Sequence, residues 1–130
     1  MDHAETYLKD LQHALAVLDL DQIKKARQAL SAARAEGKQI FVCGNGGSAS
    51  TASHLATDLG KGASQASAEA FKVMSLTDNI AWITALANDM SYEHVFVEQL
   101  RNFAQKGDVL LAISASGNSP NVIKAVEFAK

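Results

Sequence analysis

Apolar residues recur at Ala4, Tyr7, Leu8, Leu11, Leu15 and Leu18 with polar residues between them. That spacing predicts an amphipathic helix over residues 4–18. A second stripe, Ile23, Ala26, Leu30 and Ala33, predicts another helix, with Asp19 or Asp21 as its N-cap and Gly37 as its stop. The pattern then changes. Gln39 to Cys43 is a short apolar run, the mark of a buried strand. A helix is expected from about Ser48 to Leu59, broken by Gly60-Lys61-Gly62 and followed by an exposed polar loop from Ala63 to Ala68. Phe71 to Leu76 reads as a second strand. Thr77 or Asp78 then caps a helix carrying Ile80, Ile83, Thr84, Leu86 and Ala87. After Asn88-Asp89, helical spacing returns between Tyr92 and Phe103 at Val95, Phe96, Leu100 and Phe103. Gly107-Asp108 introduces a third strand, Val109 to Ile113, and a last helix starts at Pro120, which has no N–H to lose in a first turn.

Apolar strands alternating with helices imply an α/β fold with a parallel sheet covered on both faces. No linker, repeat or low-complexity segment interrupts the order, so one domain is expected: a helical part, 1–36, and a parallel α/β part, 37–130. Ligands of such sheets bind beyond the carboxyl ends of the strands. The loops at 44–48 and 114–119 both leave strand carboxyl ends, and they converge if those strands are neighbours.

Composition narrows the picture little. The 130 residues are 48% apolar and 20% charged, a soluble globular balance. A net charge of −2 offers no electrostatic footprint for direct nucleic-acid binding. No run approaches a membrane span, and the polar N-terminus does not read as a signal peptide. Cys43 is the single cysteine, so no intrachain disulfide is available, and a cytoplasmic setting is the simplest expectation.

The candidate chemistry lies at the strand ends. Gly44-Asn45-Gly46-Gly47 joins a strand to a helix starting at Ser48. Glycines permit a tight turn and close backbone approach, and a helix start presents free N–H groups to an anion. Ser-Ala-Ser-Gly-Asn-Ser at 114–119 sets hydroxyls at 114, 116 and 119 before the last helix. Together the loops suit a phosphate; the second alone is equally well explained as a capping turn. Neither is a P-loop or a dinucleotide fingerprint. His54 and Asp58 share a helix face, which suits two zinc ligands, a base with its orienting partner, or a plain surface ion pair. Spacing alone favours the ion pair. Asn88-Asp89 reads as a turn. His3 and His13 are expected to face solvent and His94 to be structural. Trp82, Phe96 and Phe103 suit a core or a subunit interface.

The segments CGNGGSASTASHLATDL, LANDMSYEHVF and LLAISASGNSPNVIKA resemble the phosphoheptose isomerase family, within the wider sugar isomerase (SIS) phosphosugar-binding fold. The resemblance implies a three-layer α/β/α sandwich with a flavodoxin-like parallel sheet, preceded by two helices. It also implies a cytoplasmic homotetramer converting sedoheptulose 7-phosphate to D-glycero-D-manno-heptose 7-phosphate, for cell-envelope heptose, through an enediol. It places substrate contacts at Asn45, Gly46, Gly47, Asn88, Asp89, Ser114, Ala115, Ser116 and Ser119. It makes His54 a zinc ligand. It makes Asp58 zinc ligand, substrate contact and catalytic base, with one zinc per subunit. Asp58 departs from the family pattern, which has a glutamate there. The family's last strands and helix, with the glutamine and histidine that complete its site, would lie beyond Lys130. The resemblance also admits a non-catalytic alternative, a phosphosugar-binding module or one that binds a protein partner, as the DnaA initiator-associating protein does.

Overall fold

A computed structural model describes residues 2–65 and 69–130. Helices α1 (His3–Ala16) and α2 (Leu20–Ala35) precede strand β1 (Gln39–Gly44). Helix α3 (Gly47–Thr57) runs on into a π-helical segment, Asp58–Ala63, before strand β2 (Lys72–Ser75). Helix α4 (Ile80–Asp89), a 3-10 turn at Tyr92–His94 and helix α5 (Val97–Phe103) lead to strand β3 (Val109–Ile113) and helix α6 (Pro120–Ala129). The strands are parallel in the order β2-β1-β3, with Phe41 opposite both Met74 and Leu110.

Successive side chains of a strand point to opposite faces, so β1 feeds two apolar layers. Phe41 and Cys43 join Leu76, Val95, Phe96, Leu100, Val122 and Ala125 on one face. Ile40 and Val42 meet Ala33 and Ala52, from α2 and α3, on the other. This is the expected three-layer α/β/α sandwich. Strand β1 is buried from Ile40 to Gly44, whereas β3, equally apolar, lies at the sheet edge with every residue half-buried. Among the described residues no helix is long and apolar enough to cross a membrane.

Asp108 ties the amino ends of two strands together. Its Oδ1 accepts from the Gln39 backbone N–H at 2.9 Å and its Oδ2 from that of Gln105 at 2.8 Å. Hydrogen bonds to a charged group contribute about 1.5–3 kcal/mol. Asp108→Ala is therefore expected to lower stability by about 2 kcal/mol, read as a shifted urea midpoint. A loss below a few tenths would mean that water replaces the carboxylate.

Several boundaries differ from expectation. Asp19, of the two candidates, caps α2, accepting from the backbone N–H groups of Asp21 and Gln22. Helix α4 is capped by Asn79, whose side chain accepts from the Trp82 N–H, and not by Thr77 or Asp78. The Asp78 carboxylate is taken instead by the hydroxyls of Ser53 and Thr77. Gly60-Lys61-Gly62 does not end the helix after β1; the chain widens into the π segment through Ala63. Of the loop expected at Ala63 to Ala68, residues 66–68 lie outside the described residues. The single helix expected from Tyr92 to Phe103 is split into the 3-10 turn and α5, and Val95, Phe96 and Val97 at the break are buried. Phe96 is core, while Trp82 and Phe103 pack edge to face, ring centroids 5.2 Å apart. Helix α1 forms, but none of its residues is buried: Tyr7, Leu8 and Leu15 are 62%, 56% and 59% exposed.

Candidate functional site

Since β1 and β3 are neighbours, Gly44 lies opposite Ile113 and the loops that follow them run side by side. They border an open cavity of about 230 Å³ lined by Asn45 and Ser48 from the first loop and by Ser114, Ala115, Ser116 and Ser119 from the second. The close approach depends on Gly44. A Cβ there would lie 2.8 Å from the backbone and side chain of Ser48, so any other residue would push α3 off the strand end. At Gly46 the chain turns with φ 54°, a conformation natural to glycine, and α3 starts.

The second loop carries the hydroxyls. Ser114 Oγ lies 3.4 Å from Ser119 Oγ and 3.5 Å from Ser116 Oγ. The Gly117 N–H donates to Ser114 Oγ and the Asn118 N–H to Ser116 Oγ, each at 3.2 Å. The hydroxyls also bond to one another, Ser114 with both Ser116 and Ser119, so an acceptor entering the cavity would draw their O–H groups out of those mutual bonds. Ser119 precedes α6 without making a side-chain cap hydrogen bond. Three hydroxyls beside a helix start form a neutral cradle rich in donors, suited to an oxyanion.

A network behind the cavity holds its floor. Asn45 and Asn121 pair reciprocally through their amides, Nδ2 of Asn45 to Oδ1 of Asn121 at 2.9 Å and the reverse at 2.8 Å. The Tyr92 hydroxyl donates to Asn45 Oδ1 at 3.1 Å. Ser48, expected only as a helix start, lines the cavity, and Tyr92 and Asn121 are not among the expected site residues. Asn121 sits in an ordinary-looking first helical turn, and only the pairing of β1 with β3 brings it to Asn45.

The other expected site residues do not line the cavity. Gly46 and Gly47 are exposed at the start of α3. Asn88 and Asp89 end α4 and pair with each other, Asn88 Nδ2 donating to Asp89 Oδ1 at 2.8 Å. His54 Nε2 and Asp58 Oδ2 are 3.0 Å apart, with side chains 78% and 60% exposed, and neither lines the cavity. Zinc takes nitrogen and oxygen donors in fours, or in threes with a water. This pair supplies two, and no group of three His, Cys, Asp or Glu side chains that could hold a metal occurs among the described residues. The set therefore does not fit a zinc site by itself. His94 is held by Ser91 Oγ at 2.9 Å and Lys124 Nζ at 3.1 Å. Cys43 is buried, and burial pushes its thiol up to about 12, so it is no nucleophile. A larger groove, about 720 Å³, runs along the free edge of β2 past Met74, Asp78, Trp82 and Phe103. It contains none of the expected site residues.

The SIS domain profile matches residues 5–130. The chain belongs to the SIS domain family. Within that family it groups with the phosphoheptose isomerases. It is 48% identical over 95 residues to the phosphoheptose isomerase of Helicobacter pylori, covering 73% of this chain and 48% of the relative. It is 39% identical over 111 residues to that of Campylobacter concisus, covering 85% and 58%. The solved structure of phosphoheptose isomerase from Neisseria gonorrhoeae superimposes with a TM-score of 0.83 at 35% identity, over 98% of this chain and 65% of that one. This SIS chain thus spans about half to two thirds of the length of these relatives.

Proposed function

We propose that this SIS chain binds a sugar phosphate in the cavity between the two loops and carries part of the machinery of a phosphoheptose isomerase. The observation that carries the reading is the convergence of the Asn45–Ser48 and Ser114–Ser119 loops on one donor-rich cavity. Ser114, Ser116 and Ser119 hold the phosphate, and the first loop orients the sugar. The names of the relatives support the substrate class, and sedoheptulose 7-phosphate is the substrate we assign.

The reaction is an aldose–ketose isomerisation. A base removes a C1 proton from the open-chain ketose, the C–H electron pair forms the C1=C2 double bond, and the C2 oxygen takes up a proton. The enediol then loses the O1 proton and gains a proton at C2, leaving the aldose. Asp58 is the carboxylate we assign as base, oriented by His54. Both are exposed, and a base works best with water excluded. The complete site thus needs a cover over this face from outside the described residues. The same holds for zinc: His54 and Asp58 would supply two of its ligands, and we derive no step through it. Proton NMR in heavy water tests the assignment on the chain and on a form extended to its relatives' length. Deuterium uptake at C1 and C2, lost in Asp58→Asn and reduced at least about 100-fold in His54→Ala, is the expected result. Turnover unchanged in both variants would remove the pair from the mechanism.

The exposed apolar face of α1 supports burial against another surface, for which we propose a homotetramer, and the lone buried Cys43 supports a cytoplasmic setting. A second reading, a phosphosugar-binding module without turnover, is favoured by a cavity whose lining includes neither His54 nor Asp58. Ligand-induced shifts without deuterium uptake in the extended form would select it.

A further inference from the structure

We infer that Asn121 and Tyr92 are positioning residues that lock the Asn45 amide, so that Asn45 can donate one hydrogen bond to a ligand but accept none. The inference rests on the sugar-phosphate reading for its ligand and on geometry for its residues.

The orientation of the amide pair follows from a backbone donor. The Val122 N–H donates to Asn121 Oδ1 at 3.0 Å, and a backbone N–H cannot accept. The oxygen of Asn121 must therefore face that N–H, which leaves its Nδ2 for Asn45 Oδ1 at 2.8 Å. Asn45 is oriented in turn, with Nδ2 toward Asn121 Oδ1 at 2.9 Å. Tyr92 then has one role at Asn45 Oδ1, that of donor, at 3.1 Å.

Valence decides what remains. A carboxamide oxygen accepts two hydrogen bonds and its nitrogen donates two. Asn45 Oδ1 receives Asn121 Nδ2 and the Tyr92 hydroxyl, so both lone pairs are occupied. Asn45 Nδ2 gives one hydrogen to Asn121, and one is left on a side chain that lines the cavity. The group a ligand places against Asn45 must consequently be an acceptor: a phosphate oxygen, a carbonyl oxygen or a hydroxyl lone pair. A ligand N–H or ammonium there meets a donor and no acceptor. Asn121 is 2% exposed, so a loss of its pairing is not made good by water.

The network joins three places in the chain. Asn45 leaves β1, Asn121 is in the first turn of α6, and Tyr92 lies in the turn after α4, three residues past Asp89. It fixes the two ligand loops against each other and ties the turn after α4 to Asn45.

Phosphorus NMR and calorimetric titrations of the chain with inorganic phosphate and sedoheptulose 7-phosphate test this, beside ¹⁵N NMR of the Asn45 side-chain amide. Tyr92→Phe removes one hydrogen bond and is expected to weaken sugar-phosphate binding about threefold to tenfold with an unchanged melting midpoint. Asn121→Asp keeps the shape but sets a carboxylate oxygen against Asn45 Oδ1, and should weaken binding at least about 30-fold. Glu93→Gln, which removes the Lys124 ion pair on the same turn as Tyr92, should bind as the unaltered chain does. In Tyr92→Phe the Asn45 amide signal should shift and exchange faster with water, a readout that general loosening of the turn, mimicked by Glu93→Gln, would not produce. Wild-type affinity in both Tyr92→Phe and Asn121→Asp overturns the inference. An Asn45 amide signal unmoved by Tyr92→Phe does so too, even if Asn121→Asp fails to fold. Should the unaltered chain bind neither probe, the sugar-phosphate reading falls, and the amide signal alone decides the lock.

Discussion

Ser114→Asp is expected to weaken binding of inorganic phosphate and of sedoheptulose 7-phosphate at least about 30-fold without unfolding the chain. The turn tolerates the change, since the Gly117 N–H that donates to Ser114 Oγ would find a carboxylate oxygen instead, and aspartate is at home in such turns. The carboxylate would then sit beside Ser116 and Ser119, where the anion is held. Two unit charges about 4 Å apart repel by about 4 kcal/mol at an effective dielectric near 20. The cavity is open to water, so roughly half that figure is the safer expectation, and about 2 kcal/mol corresponds to the stated factor. Calorimetric titration at two salt concentrations checks it, and the loss should shrink at the higher salt. Undiminished affinity would move the anion out of this cradle.

The second large effect concerns the core. Phe41→Ala should cost about 3–5 kcal/mol, a large part of the ~5–15 kcal/mol by which domains are stable. Phe41 is 1% exposed on the central strand, and its ring belongs to the layer built by Leu76, Val95, Phe96 and Leu100. Its truncation opens a void between the sheet and helices from three segments of the chain. Leu11→Ala, on the uncovered face of α1, should change stability by less than about 0.5 kcal/mol. Urea unfolding of the two variants side by side measures the contrast. Equal losses would mean that α1 carries core weight in the single chain.

The strands were legible because a strand buried on both faces must be apolar at every position, and Gln39 to Cys43 and Val109 to Ile113 are short runs between polar turns. The meeting of the two loops was legible once those strands were taken as neighbours. What escaped depends on partners distant in sequence. Asp78 looked like a cap because its chemistry suits one, but Ser53, on another helix, takes its carboxylate. Tyr92 to Phe103 looked continuous because its apolar spacing is helical, yet the chain breaks where Val95 and Phe96 turn into the core. The Asn45–Asn121 lock joins residues 76 positions apart and leaves no local signature. His54 and Asp58 were placed side by side correctly by helical periodicity, which says nothing about how far a helix face stands from a cavity.

The bareness of α1 bears on time as well as on structure. An isolated helix of fewer than about 12–15 residues is marginal in water, and α1 has 14 with none buried. Little in the sandwich holds it against fraying, so in the single chain it can melt and re-form within about a microsecond, while β1 opens only when the whole domain does. The backbone amides of His3–Ala16 should then trade hydrogen for deuterium early, and those of Ile40–Cys43 last. One molecule thus keeps two clocks. The fast one should slow only when another surface settles on Tyr7, Leu8 and Leu15, which makes amide exchange in α1 a direct gauge of assembly.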